Sequence, residues 1–383
     1  MSVTAAAGFR AAGIAAGLKA KGPDVALVIN DGPLQAAAAV FTANRVKAAP
    51  VLWSAQAVGD GIARAVLVNS GGANACTGPA GFADTHASAE RVAKLIDAGA
   101  ADVLVCSTGL IGERLPMDKL LPGIDLAVTA LDAEGGMDAA EAIRTTDSVA
   151  KTAIFRHPDG WTVGGMAKGA GMLAPSLATM LCVLTTDAAV DAPMADAALR
   201  AAVTATFDRL DADGCMSTND TVVLMASGAS GTAPPSDELA QAVHAVCADL
   251  AGQLLADAEG ATKEVEIVVS GAADEDDAVQ VGRAIARNNL LKCALFGNDP
   301  NWGRVLAAIG TTTAVFEADQ LDVSINGVAV CRGGAAGEPR DLVDLSGRQV
   351  LIEVALHAGA ATATVYTNDL SHTYVEENSA YSS

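Results

Sequence analysis

Residues 161–188, WTVGGMAKGAGMLAPSLATMLCVLTTDA, join a glycine-rich approach, one lysine and one threonine to a strongly apolar run. Gly164, Gly165, Gly169 and Gly171 loosen the backbone, and Pro175 sets one φ angle shortly before Ala178. The run that follows, MLCVLTT, mixes apolar and β-branched residues and predicts a buried strand with Thr179 at its leading edge. A hydroxyl in that position is a candidate nucleophile if a base can take its proton, and no histidine lies near it in the sequence. Scission between Ala178 and Thr179 supplies a base. The freed α-amine, with a reference pKa of about 7.7 to 8.0, can deprotonate its own side chain. The competing reading is a threonine that caps a strand after a loop.

Working outward, composition removes several function classes. The chain has 383 residues, enough for two or three domains with a large core. A net charge of −21 argues against nucleic acid as a partner, because phosphate binding needs a positive footprint. No apolar run approaches the roughly 20 residues that span a bilayer, and the N-terminal MSVTAAAGFRAAGIAAGLKAKG has spaced glycines and charges where a signal peptide needs a continuous apolar region. Seven cysteines without a CxxC pair suggest small buried thiols in a reducing cytosol. Five isolated histidines without HExxH spacing give no support to a metal.

Along the chain, strands are predicted at 24–30, 37–42, 63–70 and 102–107, with a helix from about Asp84 to Ala98. Thr108 and Gly109 follow the fourth of these strands, where the backbone is free to turn and amide and hydroxyl donors are left unpaired. Such donors can form an oxyanion hole, worth roughly 2.7 to 4 kcal/mol each; an ordinary turn is the bland alternative. RHPDG predicts a hairpin that delivers the chain to the Thr179 loop. Helices are expected at 191–209, 236–259 and 275–289, and the remainder turns β-rich, with an Asn326-Gly327 hairpin. A domain division is placed near 280–290. The polar end, SHTYVEENSAYSS, has the composition of a frayed tail. Strands and helices without strict βαβ order argue for an α+β or layered architecture.

Ten segments, GFRAAGIAAGLKAKGPDVALV, FTANRVKAAPV, NSGGANACTG, CSTGLIGERLPMDK, TTDS, GMAKGAGMLAPSLATMLCVLTTDA, STNDT, EGATK, GNDPNWGR and ENSAYSS, span the whole chain in order. Together they resemble the glutamate N-acetyltransferase family of arginine biosynthesis, also called ornithine acetyltransferase. The resemblance implies an α+β fold with a layered αββα sandwich-like core of the N-terminal-nucleophile type over residues 1–285. A smaller β-rich α+β domain would follow at 286–383, its tail closing over the site. It implies a precursor cut between Ala178 and Thr179 into an α chain, 1–178, and a β chain, 179–383, assembled as an α2β2 heterotetramer in the cytoplasm. Thr179 would be the nucleophile that moves acetyl from N-acetylornithine to glutamate by a ping-pong route. Thr108 and Gly109 would bind the oxyanion, and Thr145, Lys168, Thr179, Glu259, Asn378 and Ser383 would contact substrate. Thr146 competes with Thr145 for its place. Lys168 suits a carboxylate and Glu259 an ammonium, and the small-molecule substrates bring the acetyl group on an amide, so no cofactor is implied. Acetyl-CoA stays open as a co-substrate. The rival reading is a self-processing amidohydrolase or aminopeptidase in which water resolves the acyl-enzyme.

Overall fold

Alternation along short buried strands sets the layers. In β2 (Val25–Asn30), Val25, Leu27 and Ile29 enter one core while Ala26 and Val28 enter another. The same division runs through β4 (Ala65–Asn69) and β5 (Val103–Ser107). With β1 (Phe9–Ile14) these strands form a sheet ordered β1-β2-β4-β5. The computed structural model describes residues 2–172 and 180–380. Ala178, Thr179 and Ser383 lie outside them.

A second sheet contains β3 (Ala36–Phe41), β6 (Lys151–Arg156), β7 (Thr162–Lys168), β8 (Leu181–Thr186) and β9 (Thr221–Ala226), in the order β3-β9-β8-β7-β6. The predicted strand after Thr179 is β8, central and buried throughout. Leu181 and Val183 face the first sheet, whereas Cys182 and Leu184 face the opposite way. The core between the sheets is closed by Ala139, Ala140 and Ala142 of α4 (Gly136–Ala142).

Helices cover both outer faces. Trp53 of α1 (Ala49–Ala57), Val92 of α2 (Gly78–Ile96), and Leu120 and Ile124 of α3 (Met117–Thr129) pack on the first sheet. Leu199 and Val203 of α5 (Ala192–Ala205), with Val243, Val246, Leu250 and Leu254 of α6 (Ser236–Ala256), cover the second. The result is the expected αββα sandwich within an α+β fold. By length and composition α6 is apolar enough to cross a membrane, contrary to the reading of the sequence. Its buried leucines and valines line the sheet, each worth about 1.5–3 kcal/mol of burial, so a core stripe accounts for its hydropathy.

A third, six-stranded sheet comprises β10 (Glu264–Ala272), β11 (Asp322–Ile325), β12 (Val328–Arg332), β13 (Ala335–Ala336), β14 (Gln349–Ala355) and β15 (Ala361–Asn368). α7 (Glu275–Ala286), α8 (Asn289–Phe296) and α9 (Trp302–Ile309) share its core. The expected helix over 275–289 therefore ends early, because Asn288 accepts the Leu291 amide and starts a new helix. The division expected at 285/286 falls at the last residue of α7, while β10 and α7 ahead of it already belong to the third sheet's core. The polar end forms α10 (His372–Ala380) in place of a frayed tail.

Candidate active site

The site is assembled where strands stop. Lys168 is the last residue of β7 and pairs with Leu181, the first of β8, so the chain leaves and re-enters the sheet at one place. The Lys168 side chain is buried, and its Nζ donates to Thr108 Oγ1 at 3.1 Å. A hydroxyl that accepts from an ammonium turns its own proton elsewhere. Thr108 is anchored at the end of β5 by its amide, which donates to Asn69 O, and by its carbonyl, which accepts from Gly72 N. Next to it Gly109 has φ +132°, and a Cβ there would lie 2.7 Å from Gly72 N, so only glycine fits.

The opposite wall comes from two loops and the tail. Thr146 Oγ1 donates to Glu259 Oε1 at 2.8 Å, and Asn378 Nδ2 of α10 donates to Glu259 Oε2 at 3.0 Å. The Glu259 amide donates to Ala170 O, which ties the acid to the chain just beyond Lys168. α10 reaches this position because Ser371 Oγ donates to Gly260 O, and Gly260, at φ +63°, lets Tyr374 approach where a Cβ would sit 2.2 Å from its amide. Thr108, Gly109, Thr145, Lys168, Glu259 and Asn378 all line one cavity of about 80 Å³. Of the residues singled out in the sequence, the structure brings these six together.

A family model described as the ArgJ family matches residues 10–383. The chain belongs to the ArgJ family. The arginine biosynthesis bifunctional protein ArgJ of Streptomyces avermitilis is 66% identical to it over 384 residues, covering 100% of both chains. That of Mycobacterium tuberculosis is 60% identical over 389 residues, covering 100% of this chain and 96% of the relative. Among solved structures, the arginine biosynthesis bifunctional protein argJ from Bacillus halodurans is 35% identical with a TM-score of 0.50, covering 52% of this chain and 98% of that one.

The sequence reading of this ArgJ-family chain passed over the acids beneath the cavity. Asp147, inside the quoted TTDS, accepts from Lys151 Nζ and from Gly169 N through Oδ1, each at 2.6 Å, and from Thr145 N through Oδ2 at 3.1 Å. Lys151 also donates to Asp257 Oδ2 at 2.6 Å. Burial pushes the Asp147 carboxyl up, yet the charges of Lys168 and Lys151 outweigh it and bring the group down to about 2. Burial lowers the Lys168 ammonium, and Asp147 and then Asp220 oppose that fall. Asp147 and Asp220 lie in TTDS and STNDT, and these motifs are the signal that marks them in the sequence.

Thr145 and Thr146 both line the cavity, but it is Thr146 whose hydroxyl reaches Glu259. Among the described residues one group could hold a metal, His157, Asp159 and Glu238, with ligand atoms within 4.8 Å of one another. In that group His157 Nδ1 accepts the Asp159 amide at 3.2 Å, Nε2 lies 3.6 Å from Glu238, and the ring stacks on Trp161.

Proposed function

We propose that this chain is a self-cleaving acetyltransferase that carries acetyl from N-acetylornithine to glutamate through an ester on Thr179. The observation that carries the reading is the convergence of Lys168, Thr108, Gly109, Glu259 and Asn378 on one cavity, beside the start of the strand that Thr179 precedes. In the precursor, the Thr179 hydroxyl attacks the Ala178 carbonyl, and hydrolysis of the resulting ester leaves a free α-amine at Thr179. The Bacillus halodurans relative supports the cut, since nearly all of that chain aligns with about half of this one.

In the first half-reaction the α-amine takes the hydroxyl proton, and Oγ attacks the acetyl carbonyl of N-acetylornithine. The C–N bond breaks, the departing amine receives the proton, and ornithine leaves. The glutamate amine then attacks the ester carbonyl, restoring the hydroxyl and giving N-acetylglutamate. The Gly109 amide and the Thr108 hydroxyl, polarised by Lys168, stabilise the oxyanion in both halves. Lys168 and the Thr145–Thr146 turn orient the substrate carboxylate, while Glu259, held by Thr146 and Asn378, receives an ammonium. The remaining substrate contact of the tail is assigned to Ser383, outside the described residues. No cofactor enters this scheme, because the amide brings the acyl group and the ester stores it.

The relatives are named bifunctional, and the second function we assign is acetylation of glutamate from acetyl-CoA. The assembly we assign is α2β2, in the cytoplasm. Intact mass of the purified protein together with an assay for acetyl transfer from N-acetylornithine to glutamate tests the reading. Two fragments and a labelled Thr179 ester are expected. One uncut chain with full activity, or release of acetate without transfer, would sink it, the latter in favour of an amidohydrolase.

A further inference from the structure

The buried acid under the cavity does more than fill space. Asp147 accepts three hydrogen bonds on two oxygens, from the amides of Thr145 and Gly169 and from Lys151 Nζ, and Lys151 also donates to Asp257. Thr145 precedes Thr146, the Glu259 partner, and Gly169 follows Lys168, the Thr108 partner. The two walls of the cavity are thus joined through a single carboxylate. Its side chain is fully buried, as is that of Lys151, so no water can replace a lost contact cheaply.

We propose that Asp147 is a positioning residue for acetyl transfer, the buried anion that locks the Thr145–Thr146 turn to the end of β7 and keeps the Lys168 ammonium charged and in place. This rests on the transferase reading given above. A lysine in a low-dielectric site loses its proton unless an anion faces it. The charged groups acting on Lys168 are Asp147 and Lys151 at the start of β6, Asp220 before β9 and Glu259 after α6, and Lys19 feels its charge in turn. Among them Asp147 opposes the burial most strongly and Lys151 works against it. The two substitutions therefore have opposite signs.

The test uses the full-length protein with Asp147→Asn, which is near-isosteric, and Lys151→Gln, which removes the positive charge. KM for N-acetylornithine is followed between roughly pH 7 and pH 10, after a melting curve and a gel confirm that each variant is folded and cut. Asp147→Asn should raise KM roughly tenfold or more and move the alkaline limb of the profile down by about one pH unit or more. Lys151→Gln should move that limb up. The ammonium groups of the substrates titrate alike in every variant, so a displacement reports on Lys168. Limbs that stay at the parent position, or move in the same direction, overturn the proposal, as does an even loss of activity at all pH values. Should Asp147→Asn fail to fold, the direction of the Lys151→Gln limb decides alone. A parent that transfers no acetyl at any pH instead sinks the transferase reading.

Discussion

Asp220 accepts the amide of Met180 through Oδ1 at 3.1 Å, so the residue directly after Thr179 is held by a fully buried acid one step before the β8–β9 ladder begins. Burial pushes this carboxyl well above the usual carboxylate range, against the pull of the Met180 amide, Lys168 and the Ser217 and Thr42 hydroxyls.

An asparagine at this place keeps a side-chain oxygen that can accept the Met180 amide. Asp220→Asn is therefore expected to keep scission and transfer within several-fold of the parent, whereas Asp220→Ala leaves the Met180 amide buried and unpaired at a cost of about 1–3 kcal/mol. The fraction of cut chain on a gel over time measures this. Equal rates for the alanine variant and the parent would refute the role.

Two buried acids give stability opposite pH slopes. The folded Asp147 titrates at about 2 against a reference of 3.8, so the unfolded chain binds more protons between them, and the stability it contributes is lost as pH falls through that window. Asp211, raised by burial to about 6 despite Arg287, binds more protons when folded, so stability declines as pH rises from 3.8 toward 6. Each amounts to on the order of 2–3 kcal/mol. Urea midpoints at a series of pH values should lose the second slope in Asp211→Asn; a slope that survives there belongs to another group.

Asn378 holds Glu259 from α10 at 3.0 Å. Removing residues 378–383 takes away that donor together with Ser383, and transfer should drop while scission proceeds as in the parent. In the proposed scheme the precursor reacts at Ala178 and Thr179, a step that needs no bound substrate. Transfer that persists undiminished in the truncated protein would show the tail to be dispensable.

Gly171 lies against Glu259 so tightly that a Cβ would come within 2.6 Å of Oε2. Gly171→Ala must displace the acid from Thr146 or Asn378, raising KM for the substrate that presents an ammonium by roughly tenfold. The comparison is with Gly252→Ala on α6, where nothing lies within 4 Å of the added carbon; the two variants behaving alike would contradict the displacement.

Local chemistry alone made much of this molecule legible. The alternation in VALVIN and the apolar run of β8 follow from burying both faces of a strand, and Thr108 with Gly109 stood out because a strand ends there. Other elements were hidden for physical reasons. α3 contains Pro122, a residue that usually ends a helix, and α1 spans only nine residues, too few to set up a clear period. α10 is polar and buries none of its residues, which leaves no periodicity to find. Residue types near Thr179 made it a candidate nucleophile, and the motifs spread along the whole chain pointed to the family. Only the packing of strand ends from both sheets against α10 decided that Lys168 meets Thr108, that Thr146 meets Glu259, and that Asp147 and Asp220 lie beneath them. Those contacts join residues far apart in the chain, and a charge buried by tertiary packing has no trace in composition until its neighbours are in place.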